Sequence, residues 1–211
     1  MRFPSAKRDI VGTLQSLRTK LQAQVSGPAV VVVTSATSAD GAPEIAFGLA
    51  HSYAASGRST AFVDLWGHSD VPRRYDRVAS FRLRALPSLE FSTADVGGNL
   101  HLLSAASNAG CDIASAAAWG EALEELRRAF DVTVFDAAAV AERGTGVQLL
   151  GRADAVLIAA SLGRSVLQAD RDLVDLLAGT RARVAGTVTH DKNALRTLRR
   201  LRAPAHHAEL G

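Results

Sequence analysis

The chain has 211 residues, 47% of them hydrophobic, enough for one sizeable core and more than a minimal domain requires. A single cysteine, Cys111, excludes an internal disulfide framework, and a net charge of +3 is too small to mark a dedicated nucleic-acid binder. No apolar run approaches the roughly 18 residues of a membrane span. Met1-Arg2-Phe3-Pro4 leads into charged residues and not into a leader-like apolar stretch, so a cytoplasmic location is expected.

Residues 5–24 carry Ile10, Leu14, Leu17 and Leu21 at helical spacing. Gly12 weakens this amphipathic helix by about 1 kcal/mol relative to alanine. The helix is expected to form an N-terminal arm over residues 1–28 that need not join the sheet, and Ser26-Gly27-Pro28 ends it. Val30, Val31, Val32 and Val33 then form a β-branched run, apolar on both faces, as in a buried central parallel strand. A loop rich in Ser and Thr follows, and the pattern predicts a helix over 43–56 with Pro43 in its first turn and Gly57 at its stop.

Residues 60–64 read as a second strand that delivers Asp64 to its carboxyl end. From 67 to 98, Arg73, Arg74, Arg77, Arg82 and Arg84 interleave with Val71, Val78, Phe81 and Leu83, which predicts a helix or two before a loop at Pro87. A short strand is expected over 99–104, a helix over 114–129 with Leu123 and Leu126 inward, and a strand over 131–136 that ends on Asp136. Beyond it come a helical turn at 147–151, a buried strand at 154–160, a helix at 165–177, a last strand at 183–189 and a basic helix at 192–202. Strands alternate with helices, and no hairpin turn dipeptide joins any two of them. That pattern indicates an α/β domain over residues 29–203 whose parallel sheet is covered on both faces, with 204–211 as a flexible tail.

The chemistry concentrates in the loop after the first strand. Strand, small-residue loop and helix N-terminus together make the usual cradle for a phosphate. A working phosphate loop ends Gly-Lys-Ser/Thr, where the lysine reaches the terminal phosphates and the hydroxyl binds magnesium. Here the segment reads Ala39-Asp40-Gly41-Ala42-Pro43, so the cation and the hydroxyl are gone and the proline has removed a backbone donor. Asp40 and Glu44 flank the gap; at ~4 Å two like charges repel by about 1 kcal/mol in water and by several times that in a drier pocket. Ser35, Thr37 and Ser38 are expected to cap the loop. Asp64 and Asp136 are read as capping or salt-bridging carboxylates in preference to a leftover magnesium site, with Arg143 a candidate to fill the pocket beside them. Trp66 is evenly balanced between a surface anchor and a plug over the loop, whereas Trp119 is expected in the core. His51, His68, His101 and His190 stand at no metal-ligand spacing, so no metal site is expected.

The order of these motifs resembles the cytoplasmic kinase domain of bacterial tyrosine kinases (BY-kinases), members of the deviant-Walker group that includes MinD and ParA ATPases. Leu14-Gln15-Ser16-Leu17-Arg18-Thr19 looks like the helical segment before the family's first strand, and Val31-Val32-Val33-Thr34-Ser35 like the approach to Walker A. Ala61-Phe62-Val63-Asp64 resembles the Walker A′ strand, Asn99-Leu100-His101-Leu102-Leu103 the strand that follows, and Phe130-Asp131-Val132-Thr133-Val134-Phe135-Asp136 Walker B. The resemblance implies a three-layer α-β-α, P-loop NTPase-like fold with a mainly parallel sheet.

The departures from the family pattern are the more informative part. Trp66 replaces the second acid of Walker A′, Ala137-Ala138-Ala139 replaces Thr-Pro-Pro, and Thr189-His190 stands where an asparagine would read adenine. The tyrosine-rich tail is absent, since only Tyr53 and Tyr75 occur, and of the oligomerisation pattern E-x-x-R-x-x-R only Arg18 remains, with Gly12 and Gln15 in the other places. Together these changes imply a pseudokinase with no catalytic residue and no cofactor. It is expected to regulate or scaffold a polysaccharide synthesis or export assembly at the cytoplasmic membrane face. By resemblance its partner is a membrane chain-length regulator (polysaccharide co-polymerase) or a related kinase, or a second copy in a homo-oligomer. Leu14, Leu17, Arg18 and Trp66 are the candidate contacts. The competing readings are a weak nucleotide-binding switch that uses hydroxyls in place of lysine, and a ParA/MinD-like module whose basic C-terminal helix (Arg199, Arg200, Arg202) binds DNA or membrane.

Overall fold

The valine run after Gly27 forms a strand with every residue buried, and the rest of the chain is laid out on either side of it. The computed structural model describes residues 5–25, 27–66, 79–105, 115–137, 139–143, 146–163 and 167–191. In chain order its elements are α1 (Ser5–Gln24), β1 (Ala29–Ser35), α2 (Ala42–Ala54), β2 (Thr60–Asp64), β3 (Ala79–Leu83), β4 (Leu86–Asp95) and β5 (Leu100–Ala105). They continue with α3 (Ala116–Ala129), β6 (Val132–Ala137), the single turns α4 (Val140–Arg143) and α5 (Val147–Leu150), β7 (Ala155–Ser161), α6 (Leu167–Gly179) and β8 (Val184–His190).

Among the described residues the strands form one sheet in the order β3-β4-β5-β2-β6-β1-β7-β8. The pairs β5–β2, β2–β6, β6–β1, β1–β7 and β7–β8 are parallel. All residues of β2 and β6 are buried, like those of β1, because helices cover both faces at the centre of the sheet. On one face α1 and α2 pack through Leu14, Leu21, Ile45, Leu49 and Tyr53, with Phe47 edge-on to Phe62. On the other, Trp119, Leu123 and Leu126 of α3 join Leu149, Leu150, Leu173 and Leu177, and Trp119 meets Phe135 edge-on. This is the expected three-layer arrangement.

Two expectations are corrected. Helices were predicted within 67–98, but β3 and β4 form an antiparallel hairpin there, and β4 also runs antiparallel to β5. The alternation Phe81-Arg82-Leu83-Arg84 has a period of two, which is a strand signal. Its connection is Arg84-Ala85, not one of the glycine or asparagine pairs that close hairpins unaided. The carboxylate of Glu125 on α3 takes over that role by accepting the backbone N–H groups of Arg84 at 2.9 Å and of Ala85 at 3.1 Å. The other correction concerns α1, which is docked and not a free arm: Leu14 and Leu21 are buried, and the Arg18 guanidinium donates to the carbonyl of Ser52 at 2.9 Å. A cation at the carbonyl end of α2 is favoured by the helix dipole.

At the amino ends of the strands, the Asp154 carboxylate accepts from the backbone N–H of Val30 at 2.8 Å and from Arg127 at 2.9 Å, tying β1, β7 and α3 together. Gly151 makes a necessary close approach, since a Cβ there would stand 2.4 Å from the carbonyl oxygen of Thr180. The predicted helix 192–202, the 204–211 tail, Cys111, His68 and Tyr75 lie outside the described residues.

Candidate functional site

β1 is the point where the chain divides: α2 leads to β2 on one side of it, while β7 and β8 lie on the other. In open α/β sheets the crevice at the carboxyl ends of strands around such a point is where ligands bind. Five strand ends contribute here: Ser35 from β1, Asp64 from β2, Ser104 from β5, Asp136 and Ala137 from β6, and His190 from β8.

The loop between β1 and α2 is closed on itself. Asp40 is buried, and one of its carboxylate oxygens accepts both the Thr37 hydroxyl at 2.7 Å and the Thr37 backbone N–H at 3.0 Å. The Asp40 backbone N–H returns to the Thr37 carbonyl at 3.1 Å. Ser35 donates its hydroxyl to that same carbonyl at 2.9 Å and accepts the N–H of Ala139 at 3.3 Å. Thr34 donates to the Ala137 carbonyl at 2.9 Å, linking β1 to the last residue of β6. Ser35 and Thr37 are therefore loop caps, as expected from the sequence. Ser38 and Ala39 are exposed at the loop's crest.

Gly41 turns the chain into α2 with φ 73° and ψ 22°, a left-handed conformation that glycine adopts without a Cβ penalty. No side chain caps this helix start. Ala42, standing where a phosphate loop carries its lysine, has no exposed surface at all, and Pro43 follows in the first turn. Ala139, at φ 52°, is a buried non-glycine residue in the same left-handed region, so the segment after β6 holds backbone strain beside the site.

Asp64 and Asp136 are brought together, directly opposite each other in the β2–β6 register. Both are buried, at 2% and 4% exposure. Asp64 accepts the backbone N–H of Trp66 at 2.9 Å and the Ser104 hydroxyl at 3.3 Å. Asp64 thus closes the turn after β2 by accepting the main-chain N–H of Trp66, where a helix-capping or salt-bridging role was expected. Arg143, the candidate to fill the pocket, ends α4, and its side chain lies outside the described residues.

The candidate contact residues fare unevenly. Leu14 and Trp66, at 5% and 8% exposure, are interior residues, so neither offers a docking surface. Trp66 is buried in the turn after β2, and its backbone N–H caps Asp64. Leu17 and Arg18 remain half-exposed on α1. Sequence reasoning placed His190 among the scattered histidines and at the position of the family's adenine-reading asparagine, but did not foresee its contact with the loop. Its imidazole is buried at the end of β8 and donates from Nε2 to the backbone carbonyl of Asp40, which assigns the proton to that nitrogen. Nδ1 lies 3.4 Å from the Asp191 carbonyl. Nothing local in Thr189-His190 signals this; only the position at the end of the last described strand does.

Among the described residues no cluster of three or more metal-ligating side chains occurs, and no helix is long and apolar enough to cross a membrane. Within the loop, position 42 is a buried methyl and the Asp40 carboxylate is hydrogen-bonded to Thr37.

No family model and no curated protein matches the chain. Solved structures do. The kinase domain of the Escherichia coli tyrosine kinase ETK is similar with TM-score 0.62 and 15% identity, covering 86% of this chain and 76% of that one. The kinase domain of VpsO is similar with TM-score 0.64 and 16% identity, covering 89% of this chain and 94% of that one. The cell division protein MinD of Aquifex aeolicus is similar with TM-score 0.59 and 19% identity, covering 77% of this chain and 68% of that one. At these identities the likeness establishes the fold.

Proposed function

We propose that a P-loop fold of the kind seen in BY-kinase domains serves here without phosphoryl transfer, as a pseudokinase that regulates or scaffolds other proteins. The observation that carries this reading is Ala42. Phosphoryl transfer depends almost wholly on positioning and on neutralising charge, and the position from which a cation would do so is a buried methyl followed by proline. The carboxylate of Asp40 adds negative charge to the same loop.

By resemblance, the assembly it serves is one of polysaccharide synthesis or export at the cytoplasmic membrane face, with a chain-length regulator or a related kinase as partner. Leu17 and Arg18 on α1 are the candidate contacts that remain on the surface. A second reading, a weak nucleotide switch, is favoured by one observation: Asp64 and Asp136 still face each other at the carboxyl ends of β2 and β6.

Isothermal titration separates the two. With magnesium-ATP and magnesium-ADP at millimolar concentration the protein is expected to give no binding heat. Micromolar binding that disappears in Asp64→Ala or Asp136→Ala would establish the switch instead.

A further inference from the structure

The loop in place of Walker A is not merely short of a lysine; it already contains an anion. The Asp40 carboxylate holds the amide and hydroxyl of Thr37, and the Asp40 carbonyl is held in turn by His190 from the edge strand β8. Asp40, Thr37 and His190 are all buried, at 7%, 6% and 6% exposure. A carboxylate is a smaller relative of phosphate in what it asks of a loop: an oxyanion matched to N–H and O–H donors. His190 is separated from Asp40 by almost the whole domain in sequence, so its contact is tertiary and cannot be dismissed as a local turn.

We propose that Asp40 is a built-in anion that keeps the loop closed against free oxyanions, and that His190 is the positioning residue that latches it. This deepens the reading of the site as nucleotide-free and rests on it. In a latch of this kind the imidazole fixes the main chain at Asp40, which aims the carboxylate back at Thr37. Loss of either contact releases the Thr37 donors. The loop state is thereby tied to the end of β8, so a change in that edge strand reaches the phosphate-loop position through a single hydrogen bond.

The test uses the full chain and two readouts. Amide exchange at Thr37, followed by NMR, is expected to quicken by about tenfold or more in both Asp40→Ala and His190→Ala. In His190→Gln, whose side-chain N–H can still donate to a carbonyl, exchange is expected to stay near the unaltered rate. Inorganic pyrophosphate is the ligand probe. It is expected to shift loop resonances in Asp40→Ala at concentrations about tenfold lower than in the unaltered chain. Asp40→Asn, which removes the charge and keeps the shape, serves if the alanine variant fails to fold and is expected to move in the same direction. Unchanged Thr37 exchange in His190→Ala would overturn the latch, and so would equal pyrophosphate response with and without the Asp40 charge. Magnesium-ATP binding by the unaltered chain is a separate result: it would end the nucleotide-free reading, while the exchange comparison would still decide the latch.

Discussion

Tyr53 shows how a single residue is set by its surroundings. It sits on the inner side of α2 with 3% of its surface exposed, and burial pushes its phenol up from the ordinary value of 10.0 to about 12, against the opposing pull of the Arg18 and Arg58 charges. Between those two values the unfolded chain gives up the phenolic proton and the folded chain keeps it. Stability is therefore complete below pH 10 and falls as pH rises toward about 12. The loss at this one residue is about 1–2 kcal/mol once solvent screening near the two arginines is allowed for. Urea unfolding on either side of that window is expected to show a smaller drop in Tyr53→Phe than in the unaltered chain. An identical drop in both would mean that the phenol is not buried in solution.

Among the elements, α1 is the one whose role changed most between sequence and structure. Its periodicity was compatible with an arm, yet Leu14 and Leu21 lie in the same cluster as Ile45, Leu49 and Tyr53, and Arg18 caps the carbonyl end of α2. An arm free of the domain would tolerate truncation of an inward leucine without consequence. Docked as it is, Leu21→Ala should destabilise the protein by about 2–5 kcal/mol, the usual penalty for a cavity at a fully packed leucine. The urea midpoint measures it, and an unchanged midpoint would detach α1 from the core. The β3–β4 hairpin makes the complementary point: its turn is closed by Glu125 from a helix more than thirty positions further along the chain.

For the molecule as a whole, the question is whether the loop between β1 and α2 would accept the lysine of a phosphate-binding signature. Ala42 has no exposed surface, and the Asp40 carboxylate already occupies the loop. A lysine at position 42 would have to bury an ammonium or force the start of α2 outward. The double variant Ala42→Lys, Pro43→Ser is therefore expected to lower Tm by several degrees and to bind no magnesium-ATP. Scanning calorimetry with and without nucleotide checks both halves. A raised Tm in the presence of magnesium-ATP would show that the loop opens more readily than its hydrogen bonds suggest.

The sequence by itself determined the central strands, since a short β-branched valine run bounded by Gly-Pro and a polar loop fits a strand buried on both faces, and it placed Asp64 and Asp136 after the apolar runs that precede them. It also shows that residues 39–43 carry no lysine and a proline at position 43. Tertiary structure decided everything that depends on a partner distant in the chain. That includes the hairpin held by Glu125 and the reach of His190 to the Asp40 carbonyl. The physical reason is common to both. Each is a polar side chain whose partner lies 40 or more positions away in sequence, so only the packing of remote segments brings the two together.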